Sequence, residues 1–135
     1  MSTEPAAAHS AIPVRSPYID QILAGTKTWE IRSRSTKKTG PVALIKSGSG
    51  TVVGTATLSK VVELTSTVAR ANAKLMGLSQ SDAATCAGLY AWVLDDVVKL
   101  KKPIAYFHPI GAVVWVTLDE ATARKVNAEA ARSME

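Results

Sequence analysis

The chain has 135 residues, a net charge of +5, 47% hydrophobic residues and 20% charged residues. This length and balance fit one globular domain and exclude a disordered chain or two domains of ordinary size. The single cysteine excludes an intrachain disulfide and a cysteine-rich zinc cluster, and it suits a reducing, cytoplasmic setting. The first residues contain no continuous apolar stretch, so neither a signal peptide nor a membrane-spanning helix is expected there.

The first predicted elements are a leader and a short helix. Residues 1–10 are expected to be a flexible leader. The helix follows it, with Ser16 as the N-cap and Pro17 at the first helical position, where a missing N–H costs nothing. Gly25 is expected to end this helix in the left-handed conformation.

The remaining chain predicts strands interrupted by one helical region and closed by a helix. Gly54 lies inside a predicted strand and indicates a bulge or bend. Ser79 is expected to cap the second piece of the helical region, and Asp119 is expected to cap the last helix. The predicted strands are 26–32, 41–47, 50–64, 89–100 and 113–118; the helical regions are 66–88 and 120–133; the main loops are 33–41 and 101–112.

Five to six strands with few helices and with glycine bends predict an α+β, mainly β protein. We expect a small β-barrel or curled sheet with flanking helices. The βαβ alternation of a Rossmann fold is missing, and so are the GxGxxG, GxxxxGK[ST], HExxH and GxSxG motifs. His9 and His108 are too few and too distant for a metal site. No metal and no cofactor is therefore expected.

The positive charge is concentrated in one part of the sequence. Residues 15–46 contain seven basic and two acidic residues, a surplus equal to that of the whole chain. Such a surplus favours an anionic partner, although the same charges on a solvated surface would only keep the protein soluble.

The stretch GTKTWEIR, which begins at Gly25, carries the strongest functional signal. The two-residue period of a strand places Glu30 and Arg32 on one face and the tryptophan and isoleucine on the other. Lys27 falls at the helix-to-strand junction, so a carboxylate between two cations is expected to face a concavity. Arg32 and Lys27 can bind a phosphate while Glu30 accepts from a base N–H or a ribose hydroxyl. The alternative is an ion-pair cluster that only fixes the register of the sheet.

These residues resemble the GxKxxExR signature of the ASCH domain, a relative of the PUA RNA-binding fold. Other segments agree in order. SPYIDQILAG resembles the helix before the motif, GTVVGTATLSKVVEL and YAWVLDDVVKLKKPI resemble two strands of the family, and GAVVWVTL resembles its closing strand. The resemblance implies a small PUA-like β-barrel with a basic cleft. It divides the chain into a leader (1–10), an ASCH domain (11–118) and a C-terminal helix (119–135).

The resemblance implies a protein that binds RNA or a nucleotide-like ligand in this cleft. Certain relatives are reported as ribonucleases, and one bacterial branch removes the acetyl group of 4-acetylcytidine with a lysine, a threonine and a glutamate. Lys27 matches the lysine of that branch, whereas Glu30 stands where it has threonine. One alternative is therefore a hydrolase with Lys27 and Glu30 as catalytic groups. A protein-interaction module on the same fold is another.

Further candidates near the cleft can stack on a base or contact a phosphate. Trp92 and Trp115 lie in apolar strands and are expected to be mainly core residues. The predicted ligand-binding residues are Tyr18, Lys27, Glu30, Arg32, Arg34, Ser47 and Lys102, with Tyr90, Trp92 and His108 as neighbours.

Overall fold

A computed structural model describes residues 8–135 as one six-stranded sheet with four α-helices and one 3₁₀ helix. Most of the predicted leader, residues 1–7, lies outside the described residues. Within its remaining part Ala8 is buried and Ser10 begins the first strand. The strands are β1 (Ser10–Val14), β2 (Trp29–Arg32), β3 (Gly40–Lys46), β4 (Thr51–Glu63), β5 (Tyr90–Ala105) and β6 (Val116–Thr117). The helices are α1 (Tyr18–Ala24), α2 (Ser66–Ala71), the 3₁₀ helix (Ala73–Met76), α3 (Gln80–Ala84) and α4 (Glu120–Ser133).

The strand order is β2-β5-β4-β3-β1-β6, and only β1 and β3 run parallel among these neighbours. The predicted mainly β, α+β architecture with flanking helices is confirmed. The sheet is not closed into a barrel, because β2 and β6 form its two edges among the described strands.

The sheet nevertheless curls strongly. Register shifts interrupt the pairing of β4 on both sides of Gly54, as the sequence predicts. Arg32 of β2 donates a hydrogen bond to the carbonyl of Pro13 in β1, four strands away in the sheet order. The curl therefore brings β2 and β1 together, and it is at this junction that the charged residues of β2 lie.

The helix α1 is held by its apolar face and ended by a glycine. Ile19 and Ile22 are fully buried. Gly25 adopts the left-handed conformation with φ 82°, and its N–H bonds to carbonyls in the last turn, as predicted. The predicted Ser16 cap is wrong, because Pro17 occupies the N-cap position and no side chain caps the helix. The Gly25 turn directs the chain toward β2.

Strand boundaries differ from the prediction at several places. The prediction lacks β1, whose pairing comes only from the distant strands β3 and β6. β2 begins at Trp29 because the Thr28 N–H bonds to the Leu75 carbonyl in the helical region. β5 continues through Pro103, since this part of the strand pairs only with β4 and leaves one edge free for a proline. β6 is limited to two residues that pair with β1.

The capped helices follow the prediction more closely. Ser79 accepts from the Asp82 N–H at 3.1 Å and starts α3 after a break at Gly77. Asp119 accepts from the Thr122 N–H at 2.7 Å and starts α4. These helices flank the sheet, with α4 against β5 and the α2-to-α3 region beside β2.

Apolar side chains form three clusters around the sheet. One contains Trp92, which is fully buried inside the curl with residues of α1. A second joins α4 to the sheet. The third joins Trp29 and Ile31 to the α2-to-α3 region. Because this apolar pair packs there, the opposite face of β2 is left to Glu30 and Arg32, as the predicted alternation requires.

Candidate functional site

A cavity of about 370 Å³ opens where the curl brings β1 and β2 together. β2 contributes Glu30, Ile31 and Arg32 to its wall, and Lys27 comes from the turn after α1. Lys27, Glu30 and Arg32 together form the charged trio. The rest of the wall comes from both sides of the junction and comprises Pro13, Arg15, Tyr18, Leu78 and Cys86.

Lys27 is the most enclosed member of the charged trio, with 3% of its surface exposed. Its backbone N–H bonds to the Gln21 carbonyl at the end of α1, which fixes the residue beside the cavity. The ammonium donates to the carbonyls of Trp29 at 2.7 Å and Met76 at 3.0 Å. Burial lowers the pKa of Lys27, although the nearby Glu30 carboxylate opposes the shift. Two of the three ammonium protons therefore link β2 to the 3₁₀ helix, and one remains.

Glu30 lies between the two cations and is also buried. Its Oε1 is 4.0 Å from Lys27 Nζ, and its Oε2 is 3.3 Å from Arg32 Nε. Burial raises the pKa of Glu30, while Arg32 and Lys27 act in the opposite direction. The carboxylate therefore takes up a proton more readily than an exposed glutamate does, and it provides hydrogen-bond acceptors at the cavity wall.

Arg32 connects the cavity to the core. Its Nη2 donates to the Pro13 carbonyl, and the guanidinium carbon lies 5.5 Å from the centre of the Trp92 ring. The Nε is buried and has no hydrogen-bond partner among the described residues, because its approach to Glu30 Oε2 is an ion-pair contact with poor hydrogen-bond geometry. Burial lowers the pKa of Arg32, but a guanidinium stays protonated. The Nε cannot reach a ligand, but among the described residues only the Pro13 carbonyl accepts from the Nη groups, so their other N–H donors remain for one.

Two further side chains stand at the mouth of the cavity. Tyr18 is 43% exposed, and its ring centre lies 5.5 Å from the Lys27 ammonium. Arg15 is exposed and lies next to β1. An aromatic ring and a free guanidinium beside a buried acceptor suit a ligand that combines a flat, polar ring with negative charge.

Comparison with known proteins decides the family. A model of the ASCH domain matches residues 12–104. The chain belongs to the ASCH domain family. A search of curated proteins found no match.

Solved ASCH structures share the fold. The crystal structure of ASCH from Zymomonas mobilis has 18% sequence identity and a TM-score of 0.68, and the match covers 88% of this chain and 93% of that one. A tyrosine-to-phenylalanine variant of that protein gives 18% identity and a TM-score of 0.67, with 88% and 96% covered. A serine-to-alanine variant also gives 18% identity and a TM-score of 0.67, with 92% and 97% covered. At this identity the likeness concerns the fold.

Four of the seven predicted ligand-binding residues line the cavity of this ASCH chain, and three lie elsewhere. Arg34 is exposed in the loop after β2, and Ser47 follows β3, where its N–H donates to the Val14 carbonyl. Lys102 lies on β5, and its N–H donates to Glu129 Oε2 of α4 at 3.3 Å. The four at the cavity are Tyr18, Lys27, Glu30 and Arg32.

The three neighbouring candidates also lie outside the cavity wall. Tyr90 pairs with Arg32 across the β2–β5 ladder and packs inside the curl. Trp92 is a core residue, as expected. His108 is exposed in the loop after β5, with its ring nitrogens 2.8 Å from Tyr106 Oη and from the Ala112 carbonyl. This loop histidine therefore has no contact with the charged trio.

Several residues of the wall were not predicted from the sequence. Arg15 has a local signal, because it is the first residue of the basic segment and precedes the helix before the motif. Pro13 belongs to the unpredicted strand β1. Leu78 and Cys86 come from the helical region and have no local signal, since only packing against β2 brings them to the cavity.

The described part of the chain offers little for a metal ion. Residues 8–135 contain no group of three or more His, Cys, Asp or Glu side chains placed to hold one. Of the helices in that range, none has the length and apolar character needed to cross a membrane.

Proposed function

We propose that this ASCH protein binds RNA or a nucleotide-like ligand in the cavity, with the charged trio at its wall. The convergence of the trio carries the proposal: both cations lie within 4.0 Å of the Glu30 carboxylate, beside an open space of about 370 Å³. This volume lies within the range of small-molecule sites, roughly 300–1,000 Å³. Net positive charge next to a single acceptor favours a ligand with a phosphate and a hydrogen-bonding ring.

Each member of the site has a distinct role in this proposal. Arg32 and Arg15 contact phosphate, because their guanidinium groups keep free N–H donors. Glu30 accepts from an exocyclic base N–H or a ribose hydroxyl. Tyr18 stacks on the base from the mouth of the cavity. Lys27 adds positive charge and orients Glu30, and its single remaining N–H is its only means of direct contact with a ligand.

The same contacts also hold the curl together, because Arg32 links β2 to β1 and Lys27 links β2 to the 3₁₀ helix. A cluster with only this role would have its donors fully used and its surface closed. The remaining Nη donors of Arg32, the exposed Arg15 and the open cavity favour a ligand in addition to the structural role.

A measurement of affinity against salt tests the proposal. Labelled single-stranded oligoribonucleotides and unlabelled nucleoside monophosphates are the probes. We expect Arg32→Ala to weaken binding about tenfold or more and to reduce the slope of log affinity against log salt by about 0.7, the value for one lost phosphate contact on a single strand. Arg124→Ala on α4 is the matched control, since that arginine is exposed and remote from the cavity wall. Binding that does not change with salt, or equal losses in both variants, would contradict the proposal.

A hydrolase is the second candidate function, and the pKa directions favour it. Burial lowers the pKa of Lys27 and raises that of Glu30, so both groups move toward the range in which they exchange protons. In such an enzyme Glu30 transfers protons and Lys27 stabilises developing negative charge on an RNA phosphate or an acyl group. Incubation with RNA and with acylated nucleosides separates the two functions. Turnover that Glu30→Gln abolishes while binding persists supports the enzyme, and binding without turnover supports the binding module.

A further inference from the structure

A continuous line of cation and ring contacts leads away from the cavity. The Arg32 guanidinium, which lines the cavity, lies 5.5 Å from the Trp92 ring. Trp92 stacks on Trp115 with ring centres 5.4 Å apart. The Lys38 ammonium then lies 4.7 Å from the centre of the Trp115 ring. The line thus runs from the charged trio, through the core, to the loop between β2 and β3.

This loop, residues 33–39, is held in place at both ends. The Trp92 indole N–H donates to the Arg34 carbonyl at 2.9 Å, just after β2. The Lys38 ammonium donates to Ser10 Oγ at 3.1 Å, at the start of β1. The loop contains three basic residues and no acidic one. Its positive charge therefore has a defined position beside the junction of β1 and β2.

Three side chains of the loop and one aromatic ring form a surface that we call the loop surface: Arg34, Lys37, Lys38 and Trp115. The three basic residues are exposed, and Trp115 is half-buried. None of these four residues lines the wall of the cavity, so a ligand held in the cavity alone would not need them. The loop surface is thus a strongly positive patch with an aromatic ring. It lies outside the cavity, and the contacts from Arg32 through Trp92 and Trp115 link the two.

We propose that the loop surface binds the nucleotides of a single-stranded RNA that adjoin a base held in the cavity, an inference that rests on the proposed function. Exposed cations attract successive phosphates, and the half-buried Trp115 ring provides a platform on which a base can stack once Lys38 leaves it. In the complex Lys38 moves from the Trp115 ring to a phosphate, and a base takes its place over the ring. A single strand is required, because a base that is paired in a duplex cannot enter the cavity.

The dimensions set the length of the RNA. Ser10, which Lys38 contacts, and Pro13, which Arg32 contacts, are separated by three residues of β1, about 10 Å at roughly 3.3 Å per residue. Stacked nucleotides along one strand of a duplex rise by about 3.4 Å, and an extended single strand spaces them more widely. The path therefore holds at most about three nucleotides in addition to the one in the cavity, and the site size is at most about four.

Fluorescence anisotropy with oligouridylates of increasing length tests this assignment. In the wild-type chain we expect the affinity to rise up to about four nucleotides and then to level off. The double variant Lys37→Glu/Lys38→Glu is expected to bind a hexamer at least tenfold more weakly and to reduce the salt slope by about 1.4, as for two lost phosphate contacts. Its affinity for uridine monophosphate is expected to change less than about twofold, since neither residue lines the cavity.

The matched control is Lys99→Glu/Lys101→Glu, which makes the same change in net charge on exposed residues of β5. The assignment is overturned if this control loses as much hexamer affinity as the loop variant, if the loop variant binds the hexamer like the wild type, or if a blunt-ended RNA duplex binds as well as the hexamer. Binding of the monophosphate reports on the cavity alone. If the proposed function is wrong, the wild-type chain will not bind the monophosphate. If only the assignment of the loop surface is wrong, the wild-type chain will bind the monophosphate, and the loop variant will bind the hexamer as tightly as the wild type does.

Discussion

Replacing Lys27 by methionine should destabilise the fold more than it changes any single ligand contact. The Lys27 side chain is buried, and its ammonium donates to the carbonyls of Trp29 and Met76. Methionine has a similar length and fills the same space, but it leaves both carbonyls without these donors and the Glu30 carboxylate without one of its two cations. The variant therefore isolates the polar role of this lysine.

The size of the effect follows from these contacts. A hydrogen bond from a charged group contributes about 1.5–3 kcal/mol, so two such bonds correspond to about 3–6 kcal/mol. Removing a buried ammonium also removes the cost of its desolvation, and the methionine side chain adds apolar burial. We expect a net loss of about 2–4 kcal/mol in the free energy of unfolding. For a chain of this size that corresponds to a fall in Tm of about 10 °C.

Urea denaturation followed by tryptophan fluorescence measures the loss, with Lys60→Met as the control because Lys60 is exposed on β4. The pKa of Lys27 in the folded chain lies below 10.5, its ordinary value. A base with a lowered pKa gives stability that is fully present above the unfolded pKa and is lost as the pH falls through the folded pKa. The stability gap between wild type and variant should therefore widen as the pH rises toward 10.5. Equal stability of the two methionine variants, or a gap that narrows on raising the pH, would refute this reasoning.

Two other substitutions test the acceptor and the close packing near the site. In the wild-type chain, nucleotide affinity should fall as the pH drops through the raised pKa of Glu30, above its ordinary value of 4.5, because protonation removes an acceptor. Glu30→Gln should bind more weakly at neutral pH with a flat pH profile, and an unchanged pH dependence in titration calorimetry would count against an acceptor role. Gly54→Ala should lower the unfolding free energy by about 1–3 kcal/mol, since its Cβ would lie 2.6 Å from Leu23 Cδ2 and 2.9 Å from the Val98 carbonyl oxygen. An unchanged urea midpoint would show that the sheet yields at this bend without cost.

Local patterns predicted those parts of the fold that depend on local chemistry. Gly25 ends α1 because only a residue without a Cβ readily adopts that conformation. Ser79 and Asp119 cap their helices because their side-chain oxygens reach the N–H group three residues on. The period of two placed Glu30 and Arg32 opposite Trp29 on β2, which is the basis of the site. These features needed no knowledge of distant residues.

Some strand boundaries and some positions of candidate site residues could not be predicted from local patterns. The short strand at Ser10 contains a proline and is a strand only because β3 and β6 supply its partners. The strand before Pro103 does not stop at the lysines, since a proline is tolerated where one edge is unpaired. Arg34, Ser47 and Lys102 are polar residues near the motif or in similar basic surroundings, but their strands and loops carry them away from the cavity. Proximity in sequence and similarity of charge are weak guides to position in a curled sheet.

The sequence by itself determined the ASCH motif, the alternation that turns a carboxylate and a guanidinium to one side, and the glycine turn that brings in Lys27. The tertiary structure decided how deeply these charged groups are buried and how strongly they shift each other's pKa values. The curl buries Lys27 and Glu30, half-buries Arg32 and shifts the pKa values of all three, because burial removes the water that would otherwise stabilise their charges. It also brings Pro13 and Cys86 to the same cavity and aligns Arg32, Trp92, Trp115 and Lys38. Contacts between residues far apart in the chain depend on how the whole sheet bends, and no local pattern of residues specifies that bend.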